Sequence, residues 1–290
     1  MSLLDHIRIC NSFDLSRFRP FKIERRIMGW VRAEFALKLA QKPELFLVQP
    51  HAVTLSPALT TPTQRTEAID GFLRGLRAEG MFRAWRDERY PVTARFGQQP
   101  VMEMERAAVA SFGLRAYGVH LTGYVRRPDG LHIWVATRAH NKPTYPGMLD
   151  NTVAGGQPIG IGLHDNLIKE CAEEASIPRK LAEQAKAVSY ITYLNQSGPQ
   201  LKPDIMTCFD LELPEDFTPH ANDGEVHSFE LWPVRRVFET VRDTTEFKYN
   251  CNLVLIDFFV RHGLLSADDP QFMAIVSGLK KEYTLINGIG

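Results

Sequence analysis

Gly155-Gly-Gln-Pro-Ile-Gly-Ile-Gly-Leu-His-Asp-Asn-Leu-Ile-Lys-Glu-Cys-Ala-Glu-Glu-Ala-Ser-Ile177 is the stretch on which the reading of this chain turns. It is a glycine-rich loop that runs into a short helix, closed by Ser176-Ile177-Pro178. At about 100° per residue, Glu170, Glu173 and Glu174 fall within an arc of roughly 100°, because positions i, i+3 and i+4 share a helix face. Ile168, Cys171, Ala172 and Ala175 take the opposite side, so the helix is expected to pack small apolar residues inward and to present carboxylates outward. Left alone, each like-charged i,i+4 pair costs about 0.2–0.5 kcal/mol. A bound divalent cation reverses that sign, and an all-oxygen ligand set suits Mg2+ or Mn2+. Gly155 and Gly156 let the backbone approach a metal and a phosphate closely, which a residue with a Cβ does less easily. Three glutamates on an isolated helix are also an ordinary solvated face. The glycine loop before them tilts the reading toward a metal and a phosphate ester.

The spacing resembles the Nudix box: Gly, five residues, Glu, seven residues, Arg-Glu, an apolar residue, any residue, Glu-Glu, any residue, Gly and an apolar residue. Laid on this chain, Gly155 is the first glycine, Lys169-Glu170 stands for Arg-Glu, Cys171 is the apolar position, Glu173-Glu174 is the acidic pair and Ile177 closes. Three positions depart: Ile161 stands where the first glutamate is expected, Lys169 replaces arginine and Ser176 replaces the last glycine. Ile161 removes a potential metal ligand. Asp165 is a stand-in for it, or an acid that stabilises the first helical turn and pairs with Lys169. The stretches Tyr117–Tyr124, Pro146–Asn151, Phe247–Val254 and Trp85–Tyr90 are similar to one Nudix subgroup, the Nudix part of fungal thiamine pyrophosphokinases and related plant Nudix hydrolases with an extra N-terminal domain. The similarity covers nearly the whole chain. It implies an α/β/α sandwich around a mixed sheet and metal-dependent cleavage of a diphosphate, with oxidised forms of thiamine diphosphate as substrate. The reaction class follows from the box; the substrate follows from the subgroup alone.

At 290 residues the chain is long enough for two modest domains, and the pattern divides it into an accessory domain over 1–113, the catalytic domain over 114–264 and a helical extension over 265–290. Lys+Arg and Asp+Glu are both 34, so no global field favours nucleic acid or an anionic membrane. The partner expected is therefore a small-molecule diphosphate. Arg17, Arg19, Lys22, Arg25 and Arg26 form a local basic run that reads as a solvated face or a set of ion pairs. The four cysteines are scattered without a Cys-x-x-Cys pair, and no apolar run is long enough to span a membrane, which points to a reducing, cytoplasmic setting.

Apolar spacing predicts a helix through Ile27, Val31, Phe35 and Leu39, another through Ala68–Leu76 and a third over Val101–Phe112, with short strands near 45–48 and 53–55. Together these read as a small α+β unit. Alternation then takes over. Tyr117, Val119 and Leu121 and, beyond the turn Pro128-Asp129-Gly130, Leu131, Ile133 and Val135 mark a hairpin. Further strands are expected at Val153, Val188–Leu194, Ile205–Leu213 and Val226–Trp232, with helices over Val234–Val241, Asn252–Val260 and Pro270–Lys280. The whole is an α+β protein, a sandwich preceded by a smaller α+β domain.

The box implies Glu170 and Glu174 as metal ligands, with Glu173 next, either as a ligand or in catalysis. Asp223-Gly224-Glu225 lies on a turn where family members often supply a further acid, so Glu225 is the candidate general base; the alternative is an exposed turn acid. Gly155, Gly156, Lys142 and Arg138 are candidate contacts to the diphosphate, and Trp85, ahead of Tyr90, Phe96 and Tyr145, is the candidate to stack on a flat heterocycle. No Gly-Lys-Ser/Thr follows the loop and no paired histidines suggest zinc. Two other readings stay open: an ADP-ribose or nucleotide-sugar pyrophosphatase, and a non-catalytic ligand-binding module, the latter motivated by Ile161. Restoring the missing acid separates that module from an enzyme. Ile161→Glu should leave kcat far short of a hundredfold gain in phosphate-release assays; a hundredfold gain would identify the natural chain as a crippled hydrolase.

Overall fold

The computed structural model describes residues 1–82 and 84–283; the last seven residues of the segment expected as a C-terminal extension lie outside the described residues. Two hydrophobic cores organise it. The first sits under a four-stranded sheet in the order Arg26–Arg32, Phe18–Ile23, Ala52–Leu55, Phe46–Gln49, covered by helix Pro62–Ala78 and the ribbon Arg89–Val92/Met102–Glu105. Thr61 caps the long helix through a capping box with Gln64, and Pro62 starts it where its missing N–H costs nothing. Phe112 is fully buried at the centre, with ring centroids 5.1 Å from Phe21 and 5.2 Å from Phe35.

The helix expected through Ile27 and Leu39 is instead the strand Arg26–Arg32 followed by helix Ala33–Leu39. Apolar residues four apart satisfied a helical period by coincidence, while tertiary packing demanded a strand: a Cβ on Gly29 would lie 2.3 Å from the Phe112 carbonyl oxygen. Likewise, the helix expected over 101–112 is the strand Met102–Glu105, held by antiparallel pairing to Arg89–Val92, and then only the short helix Arg106–Val109.

The second core lies on both faces of a mixed sheet ordered Lys186–Thr192, Ile205–Glu212, Tyr117–Arg127, Gly130–Arg138, Val226–Pro233. Strand Val153–Gly156 joins it antiparallel to Tyr117–Arg127, which in turn runs parallel to Ile205–Glu212. Period-two alternation sorts side chains between the faces. Val119, Leu121, Phe209 and Leu211 point to one face, where Leu167, Ile168, Cys171 and Ala175 of helix Leu163–Ala175 cover them. Ile133, Val135, Met206 and Cys208 point to the other, under helices Val234–Asp243 and Cys251–Arg261. This is the α/β/α sandwich expected. Ala172, expected inward, is exposed; Leu167 takes its place.

Helix Leu3–Cys10, capped by Ser2 and Asp5, packs Leu3, Ile7 and Cys10 into this second core against the C-terminal helices, including Phe272–Gly278. The chain's first helix and its last described one therefore meet on the far face of the sheet. All four cysteines are free and buried, and no described helix is long and apolar enough to cross a membrane. Removing the ring at the centre of the first core tests how far that core depends on one side chain. Phe112→Ala should cost about 3–5 kcal/mol, read as a lowered urea midpoint; a loss below about 1 kcal/mol would show that the surrounding rings do not depend on it.

Candidate active site

Strand Val153–Gly156 delivers the two glycines to the edge of helix Leu163–Ala175. There is no room for side chains: a Cβ on Gly155 would lie 2.3 Å from Glu170 Cδ, and one on Gly156 would lie 1.5 Å from the Tyr90 hydroxyl. The loop between strand and helix is clasped from within. Asn166, fully buried, donates to the Gly156 carbonyl (2.9 Å) and to Gln157 Oε1 (3.1 Å), and Gln157 donates to the Ile161 carbonyl (2.6 Å). At its far end the helix stops on Ser176 at φ 52°, the left-handed position that glycine occupies more readily.

The three glutamates part company. Glu174 turns toward the sheet and accepts from the Ala154 N–H at 2.9 Å. Its carboxylate, with those of Asp223 and Glu225, forms a triad whose oxygens lie within 4.8 Å of one another. Burial pushes the Glu174 carboxyl up to about 8, Asp150, Glu170 and Glu225 adding to it, against the pull of the Ala154 amide. Glu170 is half-buried beneath Gly155, its carboxyl also raised by burial in spite of Lys169. Glu173, expected as a ligand or catalytic acid, is exposed and bound to Lys169 Nζ at 2.7 Å, outside the triad. Lys169 thus bridges Glu170 and Glu173, and no ion pair joins it to Asp165 among the described residues.

Asp223 and Glu225 come from the turn that the sequence singles out. Gly224 adopts φ 75°, the Glu225 N–H donates to Asp223 Oδ1 (2.8 Å), and the Glu225 carbonyl accepts from Ala139 (3.0 Å), which ties the turn to the end of strand Gly130–Arg138. Lys142 ion-pairs with Glu225, and Arg86 approaches its other oxygen at 3.4 Å. Burial works to raise the Glu225 carboxyl, but Lys142, Arg86 and Arg106 outweigh it and hold the group below the usual glutamate range.

A cleft of about 970 Å³ opens over this site, lined among others by Glu174, Glu225, Gly155, Gly156, Lys142 and Arg138. Arg138 serves as a strut as well: its guanidinium donates to Asp150 (2.7 Å) and to the carbonyls of Tyr145 and Thr144. Asp150 is buried, which alone would raise its pKa, yet Lys248 and Arg138 hold it down to about 2. Trp85 does not line the cleft. Its indole donates to Asp87 and its ring faces the guanidinium groups of Arg74 and Arg77, at 5.4 and 5.0 Å, so the stacking role expected for it has no support in its position.

Residues from the N-terminal unit complete the wall. Arg86, Arg106 and Tyr90 reach the cleft, as do Lys248 and His120 from the sandwich. Burial and the neighbouring Lys248 lower the His120 pKa to about 4, so the ring is neutral at physiological pH. Tyr90 was among the aromatic candidates in the sequence; the others did not stand out, because an isolated arginine or lysine resembles any solvated one. Asn166 carried a signal: an amide early in a helix is a poor helix former unless its side chain has work to do.

The carboxylates of Glu174, Asp223 and Glu225 fit a hard divalent cation. Three acids this close, one of them deprived of water, repel one another unless a cation or protons intervene. Arg86 and Lys142, which pair with Glu225, and Arg106 line the same cleft, a set of donors suited to phosphate oxygens.

Two plant Nudix hydrolases resemble this chain over most of its length. A family profile described as a domain of unknown function, DUF4743, matches residues 2–116. Nudix hydrolase 20, chloroplastic, of Arabidopsis thaliana is 40% identical over 287 residues, 95% of this chain and 77% of that protein. Nudix hydrolase 24, chloroplastic, of the same plant is 40% identical over 268 residues, 92% of this chain and 73% of that protein. Among solved structures, the NUDIX domain of Shewanella oneidensis NrtR complexed with ADP ribose aligns over 53% of this chain and 92% of that one, at 12% identity and a TM-score of 0.41.

The contact between Gly156 and Tyr90 joins the two cores at the site and can be tested there. Gly156→Ala should destabilise the protein by about 1–3 kcal/mol through overpacking. Adding Tyr90→Phe removes the nearest atom and should restore part of the loss. Thermal melts of the single and double variants decide it; equal melting temperatures for Gly156→Ala and the wild type would show that the strand has slack.

Proposed function

Because the chain belongs to the Nudix hydrolase family and is a diphosphate hydrolase, we propose that Glu174, Asp223 and Glu225 hold its divalent metal, Mg2+ or Mn2+, and that oxidised thiamine diphosphates are its substrates. The observation that carries the reading is the convergence of the three carboxylates, two of which, Glu174 and Glu225, line the same cleft as Arg86, Arg106 and Lys142. When bound, the metal supplies charge neutralisation on the phosphoryl oxygens. The remaining work falls to the protein. Gly155 and Gly156 let Glu170 and Tyr90 pack where a Cβ would stand, bringing both side chains against the strand at the cleft. Arg86, Arg106 and Lys142 receive the charge of the diphosphate. Arriving phosphate oxygens compete with Glu225 for Lys142 and Arg86 and release its carboxylate to the metal, a role that replaces the general-base one expected for it, since a carboxylate held by a divalent cation is a weak base. Glu170 lies behind Gly155 and supports the helix edge, or joins the ligand set once Lys169 is displaced.

In this reading the N-terminal unit is part of the active site, since Arg86, Arg106 and Tyr90 all come from it. Support for the thiamine assignment comes from the subgroup resemblance and from a cleft wide enough for a ring beside the diphosphate. Two measurements test the proposal. Glu174→Gln should lower kcat at least a hundredfold, a barrier change of about 2.7 kcal/mol, with an unchanged melting temperature; near wild-type turnover at saturating Mg2+ would remove Glu174 from the site. In side-by-side phosphate assays, oxidised thiamine diphosphates should show a higher kcat/KM than ADP-ribose, and the opposite order would discard the thiamine assignment alone.

A further inference from the structure

The cleft extends well past the acids. Met206, Gly118 and Gly156 lie in one row across three adjacent strands, so the start of strand Ile205–Glu212 is two strand spacings, roughly 10 Å, from the glycine floor. Just before that strand stands Asp204, and beside it Tyr193 and Tyr249, all lining the same cleft. Tyr193 is 2% exposed and its hydroxyl donates to Asp204 Oδ2 at 2.7 Å. A phenol has one hydrogen to give. With that hydrogen on Asp204, the other contacts of the Tyr193 oxygen must be accepted ones: from Asn250 Nδ2 at 3.3 Å and from the Tyr249 hydroxyl at 3.3 Å. The chain of hydrogen bonds therefore runs one way, Tyr249 to Tyr193 to Asp204. Its free capacity is acceptor only: the lone pairs of the Tyr249 oxygen and the second oxygen of Asp204, which has neither a hydrogen bond nor an ion pair among the described residues.

Asp204 is half-buried, and its spare oxygen is left to accept from whatever enters the cleft. Lys202 and Lys248 line the cleft nearby, yet neither forms an ion pair with Asp204, and Lys248 turns to Asp150 at 3.9 Å. Aromatic surface adjoins the acid: the Tyr249 ring lies 5.9 Å from that of Tyr193 and 5.4 Å from that of Tyr145.

We propose that Asp204 and Tyr249, positioned by Tyr193, form a subsite for a planar nitrogen heterocycle that presents N–H donors, bound beside the diphosphate in the same cleft. The inference rests on reading that cleft as the diphosphate site and specifies which end of the substrate the second pole reads. Tyr249 and Tyr145 supply flat apolar surface to the ring, and the spare Asp204 oxygen takes a charge-assisted hydrogen bond from its amino or ring N–H edge. Burial holds the Asp204 carboxyl above its ordinary range despite the Tyr193 hydroxyl, and a donor on its spare oxygen would bring it down.

The test compares two diphosphates on the full chain with Mg2+: an oxidised thiamine diphosphate, which carries a ring, and methyl diphosphate, which carries none. Asp204→Asn puts a donor where the ligand's donor must go, and Tyr249→Leu removes the ring surface. Each should lower the ratio of kcat/KM for the ring substrate over methyl diphosphate at least tenfold, chiefly through KM, with melting temperatures near wild type. Equal losses for both substrates, or none for either, would overturn the subsite. Should the wild type cleave neither, the proposed function fails, and calorimetric binding of unphosphorylated thiamine and of adenosine then tests the subsite by itself. Binding of one of them, weakened at least tenfold by Asp204→Asn, supports it; equal binding by variant and wild type, or no binding of either, overturns it.

Discussion

The position of the Glu174 carboxylate is the constraint on which the site depends. Helix Leu163–Ala175 aims it at the edge of the sheet, the Ala154 N–H fixes it, and the surroundings deprive it of water. A carboxylate so placed, with two more from the turn at 223–225 within reach, is unstable as an apolar or empty arrangement; it is stable with a proton or with a cation. Much of the local structure serves that placement. Gly155 and Gly156 exist as glycines because Glu170 and Tyr90 occupy the space a Cβ would need, and Asn166 binds loop to helix so that the strand and the carboxylate keep their distance.

The same close approach links the two cores. Tyr90 is buried in the N-terminal core and meets Gly156 on the sandwich, while Arg86 crosses to Glu225. The N-terminal unit therefore does more than cover the cleft: its charges balance the acids of the sandwich, and a diphosphate entering between them exchanges one set of ion pairs for another. At the opposite pole the polarity of the tyrosine chain makes the wall an acceptor surface. Phosphate at one end and a donor-bearing ring at the other is the chemistry that such a cleft distinguishes.

How much of this was legible in the sequence depended on how local the signal was. The sandwich strands alternated cleanly, and helix Leu163–Ala175 announced itself through its spacing, so the fold and the helix that carries Glu174 were readable. Strand Arg26–Arg32 was not, because Ile27, Val31, Phe35 and Leu39 fit a helical period while the requirement for a strand came from Phe112, more than seventy residues away. Within the site, helical geometry put Glu173 beside Glu170 and Glu174 but could not say that Lys169 would claim it. Glu225 was readable because Asp223-Gly224-Glu225 is a turn motif. Arg86, Arg106 and Lys248 were not, since nothing local distinguishes an arginine or lysine that faces a cleft from one that faces water. Trp85 failed for the same reason: its partners Arg74 and Arg77 lie a turn of helix apart, on an element that only folding brings near.

The central claim is that one acid of the helix and two of the turn together form a cation site. Mn2+ binding to the purified protein, followed by electron paramagnetic resonance, tests it without reference to any substrate. The account predicts saturable binding that is weakened at least tenfold by Glu174→Gln, by Asp223→Asn and by Glu225→Gln, and is unaffected by Glu173→Gln. Binding that survives both turn variants but is lost with Glu173→Gln would contradict it, and would return the metal to the exposed face of the helix.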